Sequence, residues 1–515
     1  MKINSILVRN FSWGWIAYIY NIVLMLWITP IVIHSIGLEA YGVWVVLQSI
    51  VGYYGFVDMG FRAALSQTIT RSIARGDNEQ VVRFIGSALP FMAKLGLVVV
   101  LLSSIAAWLI PRLVEMDPGV ANSLWVVIIL QACGIAIGLI TQPFNGVTVG
   151  LQRYDIAEFV GMATRTIWAI SIVIALRFSG NLLTFVSVSL AVSLLEAFVR
   201  VQRAVYLFPD LKNIKFNYRS DDLKELYGKG SWNFVIQISR QVLNMSSPLI
   251  VGILFSARSV VPFAIGSSLV DYGTKLIYQP TRMLYPTMVH LVCQDRRDEL
   301  RSLFSNCVRL FTSIAIAYGI TAVYWSQQFL KLWLGDKEEY QYIFESAPWI
   351  VGVLSIRFVT MTFLETGNQL LMANEELKYL AKLSIVEAVP SLLLSIAIGF
   401  YCGPIGVAIG CLLPMLILAV FFYIPKFIEL LGIRVNEFIT EVCVPLLVFG
   451  CMFLITMHLY TRIAISPGNL FQFLLITATP SSAIYLFLVP VVVERKLIFS
   501  FLDRITSWFK RYGKA

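Results

Sequence analysis

Two short stretches of this 515-residue chain share one arrangement of side chains. Val57-Asp58-Met59-Gly60-Phe61-Arg62 is matched by Val270-Asp271-Tyr272-Gly273-Thr274-Lys275. Each sets an acid and a base four residues apart, one helical turn, inside a segment otherwise apolar enough for a membrane. Charge in lipid is costly and is rarely kept without a use, so ionisable residues there point to substrate or ion paths. Their repetition predicts a transporter with two lobes.

The wider set of ionisable residues at membrane depth comprises the bases Lys94, Arg165, Arg240, Lys275, Arg282, Arg309 and Arg357. The acids are Asp58, Glu196, Asp271, Glu365 and Glu387. A charge at the bilayer centre costs about 2.5–3.5 kcal/mol on the insertion scale, so seven bases facing lipid would cost roughly 20 kcal/mol. They must face a cavity or pair internally. Helical spacing favours a cavity in the second half. Gln237, Arg240, Gln241, Asn244 and Ser247 recur at i, i+3, i+4 and i+7 and form one stripe. Ser268, Asp271, Lys275, Tyr278, Gln279 and Arg282 form another, and Arg357, Glu365 and Gln369 fall broadly on one face. Bases exceed acids in this set. A wet cavity with a cationic wall attracts anions, phosphate above all, because Arg contacts it through two N–H groups. The substrate-binding set is therefore Arg240, Lys275, Asp271, Asn244, Gln237, Arg357 and Arg282. Asp58, Asp271 and Glu365 are the ion-coupling candidates.

Simpler roles compete. Asp58–Arg62 and Asp271–Lys275 also suit structural pairs that neutralise each other. Arg282, Glu196 and Glu387 lie near span ends, where long side chains snorkel to water, and the same holds for Lys94 and Arg309. Arg240 is the clearest functional candidate. It lies well inside its span among polar neighbours, with no acid within one turn.

The elements that must hold these residues are membrane helices. The chain is 58% hydrophobic and 14% charged, with a mean hydropathy of +0.77, against about 25% charged in soluble domains. Its apolar runs do not alternate as a membrane β-barrel requires. At about 20 residues per span, it reads as an all-α polytopic membrane protein of about 14 transmembrane helices. The spans are approximately 11–34, 40–62, 85–110, 121–143, 157–177, 182–206, 231–254, 260–284, 303–325, 346–370, 380–400, 404–425, 439–461 and 469–493. The first span lacks a small-residue cleavage site and reads as a retained helix.

Lys and Arg concentrate in alternate loops, which places those loops and both termini in the cytoplasm. The basic tail (Arg495, Lys496, Arg504, Lys510, Arg511, Lys514) supplies much of the net charge of +10. These charges set orientation and touch anionic headgroups, so nucleic acid is not an expected partner. Residues 498–512 suit an amphipathic interfacial helix. The linker 209–230 divides the chain, after which the pattern restarts: Ser12-Trp13 opens span one and Ser231-Trp232 opens span seven. The expected organisation is an N-lobe (1–208, spans one to six), the cytoplasmic linker (209–230), and a C-lobe (231–425, spans seven to twelve). Residues 426–515 hold two extra C-terminal helices and the tail. The two six-helix lobes would be pseudo-symmetric parallel repeats.

No P-loop, HExxH or GxSxG motif occurs, and no long extramembrane segment leaves room for a catalytic domain. The cysteines and the three histidines show no metal-ligand spacing. No enzyme, cofactor or metal is expected. The turn Ile36-Gly37-Leu38-Glu39-Ala40-Tyr41-Gly42-Val43-Trp44, followed by Asp58-Met59-Gly60, resembles the Wzx-type O-antigen and polysaccharide flippases. So does Phe329-Leu330-Lys331-Leu332-Trp333-Leu334-Gly335. That family belongs to the superfamily that also holds multidrug extruders and the lipid II flippase. The resemblance implies two lobes around a central cavity and alternating access. Its implied substrate is an undecaprenyl-pyrophosphate-linked oligosaccharide, an O-antigen, capsule or exopolysaccharide repeat unit, carried to the periplasmic leaflet of a bacterial inner membrane. A polysaccharide polymerase and a chain-length regulator are implied partners, beside membrane lipids. Spans thirteen and fourteen would form a groove for the lipid tail. The alternatives are a cation or multidrug extruder, which predicts an acidic cavity, and a lipid II flippase, whose basic-acidic constellation in span one is missing.

Overall fold

Apolar runs with capping residues at their starts fold as helices here, and among the described residues there is no strand. A computed structural model describes residues 2–54, 61–151, 153–214, 231–282, 284–463 and 467–492. The chain divides into two compact units, Met1–Val261 and Pro262–Ala515.

The first unit holds α1 (Lys2–Ile36), α2 (Leu38–Tyr53), α3 (Phe61–Arg75), α4 (Asn78–Leu113), α5 (Pro118–Gly150), α6 (Tyr154–Phe178), α7 (Leu182–Leu207) and α8 (Ser231–Leu254). The Asp77 carboxylate caps α4 by accepting from the Gln80 N–H at 2.9 Å, and Asn181 caps α7 through Thr184 at 2.8 Å; such caps satisfy donors the helix leaves open. Two apolar cores result. One joins α1, α2, α5, α6 and α7 through Ile28, Val43, Val127, Ile172 and Phe185. The other joins α3, α4, α5 and α7 through Ile69, Phe84, Val147 and Ala204. The division by contact falls later than the linker at 209–230 because α8 packs on α2. There Gln241 Nε2 donates to the Gly52 carbonyl at 2.8 Å, and the Tyr53 and Ser246 hydroxyls meet at 2.5 Å.

The second unit takes up most of α9 (Ala257–Arg282), then α10 (Leu284–Cys293), α11 (Arg297–Leu334), α12 (Gln341–Ala373), α13 (Leu377–Leu418), α14 (Ile424–Leu431), α15 (Val435–Phe438), α16 (Val444–Ile463) and α17 (Leu470–Val492). Two spans merge in α13 across Gly403, whose backbone is non-helical (φ 71°, ψ −160°). A φ of that sign favours glycine. The two halves then pack backbone to backbone at Gly410, where an added Cβ would lie 2.3 Å from Ser395 N.

Nine helical segments among the described residues are long and apolar enough to cross a membrane, one of them covering both passes of α13. With α17, which holds a shorter apolar stretch at Leu475–Pro490, and with α2, α8 and α9, this agrees with about fourteen passes. The chain is an all-α multi-pass membrane protein. Helices α8 and α9 fall short because they carry the polar stripes.

Three segments expected as loops are helical. Residues 62–75 continue as α3 because Ile69 and Ile73 seat against Gly146 and Gly150 of α5. Residues 284–293 form α10, and much of 426–438 forms α14 and α15. The turns that end α3, α10 and α12 repeat one design. Gly76 and Asp77 bond back to Ile73 and Ser72, Asp295 and Arg296 to Val292 and Leu291, and Glu375 and Glu376 to Met372 and Leu371. Each is a Schellman ending, with Gly76, Asp295 and Glu375 left-handed at φ 74°, 52° and 62°. The matched loops of the sequence duplication are thus matched in backbone. The interfacial helix expected at 498–512 and residues 215–230 of the linker lie outside the described residues.

Candidate functional site

Helix α9 carries the second acid-base motif, and its glycine explains how the motif is held. An added Cβ at Gly273 would lie 2.7 Å from the Tyr318 ring of α11. The Tyr318 hydroxyl donates to the Leu269 carbonyl, one turn before Gly273. The same ring meets Phe358 of α12 edge to face, with centroids 5.8 Å apart. Tyr318 thereby fixes α9 and α12 in register and sets Asp271 beside Arg357, the neighbour of Phe358. Asp271 and Lys275 are exposed and Arg357 is half-buried. Lys275 and Arg357 both act electrostatically on the Asp271 carboxylate, yet no salt bridge closes Asp271 onto Lys275 among the described contacts. The Arg357 Nε is buried with no partner among the described residues. A buried N–H without a partner costs about 1–3 kcal/mol, which marks the guanidinium as set up for a ligand or an ordered water. The arrangement is two cations sharing one carboxylate.

The other ionisable residues divide. Arg282 is exposed, with its guanidinium over the Tyr278 ring at 5.4 Å. Glu365 is only 6% exposed and accepts from Asn368 Nδ2 and Gln369 Nε2, both at 3.1 Å. Gln369 is thus a partner of Glu365, not a third member of an open face with Arg357. Arg309 donates to Asn306 Oδ1 at 2.5 Å and to the Ser305 carbonyl at 3.2 Å. In the first unit, the stripe on α8 splits. Gln237 and Asn244 are exposed and Arg240 is half-buried with a partner of its own, whereas Gln241 bonds to α2 and Ser247 is buried. Lys94 is exposed. Glu196 pairs with Arg200 at 2.6 Å. Asp58 lies outside the described residues, as does the side chain of Arg62.

Three features escaped sequence reasoning. A polar cavity in the first unit is lined by Arg165 and Glu196 together with the neutral Gln48 and Gln131. An elbow joins α13 to α16: Phe427 is fully buried against Gly367, Arg301 pairs with Glu437 at 3.1 Å and with Glu441, and Lys426 reaches Glu376 at 3.0 Å. Beside it run two adjoining apolar cavities of about 460 and 310 Å³ that share Ile316, Leu446 and Leu447 of α11 and α16. An excess of neutral amides at membrane depth was the available signal for the first. For the others, the Phe-rich stretch around Phe427 was the only hint.

Comparison with known proteins places the chain. The family model described as polysaccharide biosynthesis protein matches residues 36–340. The uncharacterised membrane protein EpsK of Bacillus subtilis (strain 168) is 22% identical over 234 residues, 44% of this chain and 46% of EpsK, so the match spans under half of that relative. Among solved structures, the inward closed lipid II flippase MurJ superposes with a TM-score of 0.67 at 13% identity, over 95% of this chain and 100% of its own. An inward-facing multidrug resistance MATE family transporter of the MOP superfamily gives 0.65 at 14%, over 82% and 98%. A MOP superfamily transporter from Pyrococcus furiosus, described as having a binding pocket of reversed polarity, gives 0.53 at 13%, over 83% and 94%. At these identities the likeness is one of fold.

Proposed function

The chain belongs to the polysaccharide biosynthesis protein family, and we propose that it is a flippase for an undecaprenyl-pyrophosphate-linked oligosaccharide. The cargo is an O-antigen, capsule or exopolysaccharide repeat unit. It moves from the cytoplasmic to the periplasmic leaflet of a bacterial inner membrane by alternating access of the two lobes, with both chain termini cytoplasmic. The observation that supports this reading most is the pair Lys275 and Arg357 on one shared carboxylate, with an unpartnered Arg357 Nε. Two cations competing for Asp271 suit a doubly charged pyrophosphate, which Arg engages through two parallel N–H groups. Arg282 of α9 extends this cationic set, and Arg240, Gln237 and Asn244 of α8 are a polar group of the first unit that would offer substrate contacts of its own.

Asp271 gives the coupling. With Asp271 ionised, the carboxylate satisfies the two cations. Once it is protonated or displaced, both are available to the pyrophosphate. A proton or cation gradient acting at Asp271, or at Asp58 and Glu365, would then set the direction of transport. The apolar cavities between α11 and α16 suit the polyprenyl tail, whose only requirement is apolar surface. A polymerase and a chain-length regulator would take the product on the far leaflet.

The test is cellular. Deletion of the gene is expected to leave lipid-linked glycan in the cytoplasmic leaflet and to remove the surface polymer. Normal surface glycan with heightened sensitivity to cationic drugs would instead establish an extruder of the same fold. Arrest of peptidoglycan synthesis would establish a lipid II flippase.

A further inference from the structure

The polar cavity of the first unit is built differently from the charged site on α9 and α12. It measures about 300 Å³, is open on one side, and is lined by α2, α5, α6 and α7. That is the lower end of the range for small-molecule sites, about 300–1,000 Å³, and leaves room for about one or two sugar rings. Its walls are two indoles, Trp44 and Trp168. Both are fixed by one buried ring: Phe185 meets Trp44 at 4.7 Å and Trp168 at 6.1 Å, edge to face in each case. The Trp168 N–H is already satisfied, donating to Ser189 Oγ at 3.0 Å. What the indole offers the cavity is apolar ring.

The polar groups are of a second kind. Gln48 of α2 and Gln131 of α5 line the cavity, and among the described residues neither amide has a hydrogen-bond partner. Each amide both donates and accepts. Leaving two of them unused at membrane depth is costly unless water or a ligand fills the space. Glu196 Oε1 accepts from Arg200 Nη2 at 2.6 Å, which leaves Oε2 to accept from a ligand; Arg165 supplies further donors.

The alternatives fit less well. A phosphate would face Glu196 across the cavity. A cationic drug would find a single carboxylate, already paired. A lipid tail would strand both amides. A hydroxyl-rich ring with one apolar face matches every group: hydroxyls give and take hydrogen bonds as amides do, and the C–H face of the ring packs on indole.

We propose that this cavity is a saccharide subsite, which holds one or two sugar units through Gln48, Gln131, Arg165 and Glu196 on the Trp44 and Trp168 rings. This rests on the flippase reading. It adds that the cargo is recognised at two places by two chemistries, the sugar in the first unit and the pyrophosphate by the charged residues.

The experiment measures binding of two lipids by the full chain in nanodiscs, with native mass spectrometry as readout. One is bare undecaprenyl pyrophosphate. The other is the same lipid carrying its oligosaccharide, isolated from the deletion strain. The wild type is expected to prefer the glycan-bearing lipid. The Gln48→Leu, Gln131→Leu double variant is expected to lose about tenfold in affinity for that lipid alone, as for two neutral hydrogen bonds. The wild type also provides a measurement that needs no variant. Hydroxyl-radical labelling of Trp44 and Trp168 should fall with the glycan-bearing lipid and stay unchanged with the bare one. A double variant that keeps the preference, or labelling that ignores the glycan, overturns the subsite and leaves the flippase intact. A wild type that binds neither lipid overturns both.

Discussion

The first unit pairs the carboxylate of its polar cavity and leaves two neutral amides open; the second pairs its amides and leaves a carboxylate and two cations open. Glu196 is spent on Arg200, and Gln48 and Gln131 face a cavity without partners. In the second unit Asn368 and Gln369 are spent on the buried Glu365, and Asp271, Lys275 and Arg357 stand in a loose, partly open group. The frame is nonetheless repeated, down to the left-handed residue that ends α3 and α10. Duplication therefore conserved what backbone geometry demands, the turn that stops a helix and starts the next. It did not conserve side chains whose value depends on a ligand. An ion pair inside a membrane protein costs desolvation wherever it sits, so each unit keeps open only the chemistry it has a use for.

The largest effects should come from the open charges. Arg357→Ala and Lys275→Ala are each expected to lower export of lipid-linked glycan by about tenfold to a hundredfold, as charge-assisted hydrogen bonds of about 1.5–3 kcal/mol are lost. Arg240→Ala is expected to impair export as well. All should leave protein level unchanged, and all should weaken binding of the bare pyrophosphate lipid and the glycan-bearing one alike. That is the opposite of the amide variants in the first unit. Full export by both Arg357→Ala and Lys275→Ala would remove the cationic site and, with it, the contrast between the units.

Next comes the support beneath those charges. Gly273→Ala would set a methyl 2.7 Å from the Tyr318 ring. Over-packing of that kind costs about 1–3 kcal/mol, visible as a lower melting temperature in detergent. Because the contact is with one ring, Tyr318→Ala in the same chain should return part of the loss, although that change also deletes the bond to Leu269. Equal destabilisation in both backgrounds would mean that Tyr318 does not set the spacing of α9.

A smaller effect separates the two roles of Asp271. Asp271→Asn removes the carboxylate that Lys275 and Arg357 share. Affinity for the bare lipid is then expected to rise by about threefold, the scale of a water-exposed ion pair of about 0.2–1 kcal/mol. Transport should stop responding to the ion gradient. A fall in affinity would show that Asp271 helps to hold the substrate and is not displaced by it.

The expensive features were the legible ones. Charges at membrane depth stand out in an apolar chain, so Asp271, Lys275, Arg357 and Glu365 were all visible, and so was the duplicated motif. Their partners were not. Nothing in the spacing of Arg357 and Glu365 tells that one faces a loose cationic group and the other is buried between two amides of its own helix. That depends on which face of α12 meets its neighbours. Gln48 and Gln131 were overlooked because a neutral amide in a span carries a modest cost and is common. Helix α3 was read as loop because its arginines suggested water, and α10 because the charged run that begins at Asp295 follows it directly, yet their apolar positions Ile69, Ile73 and Met288 settle against the bundle.

The finest test bears on the repeated frame. Asp295 is the repeat partner of Gly76, and Glu375 takes the same place within the same turn motif after α12, at φ 62° against 74° for Gly76. A side chain in that region costs about 1–2 kcal/mol, while glycine loses about 0.5–1 kcal/mol through the freedom of the unfolded chain. Gly76→Ala should therefore destabilise by about 1 kcal/mol, and Glu375→Gly should stabilise by a few tenths. Asp295 is a poorer choice for this exchange, because its carboxylate pairs with Arg297 at 2.9 Å and a change there would remove an interaction along with the strain. Glu375 is exposed, so its substitution reads the backbone alone. Opposite shifts in the two melting curves would mean that the turns are one device filled by different residues. Shifts of the same sign would mean that the second unit holds its turn by side-chain contacts the first does not need, and the likeness of the two frames would then be one of shape without shared energetics.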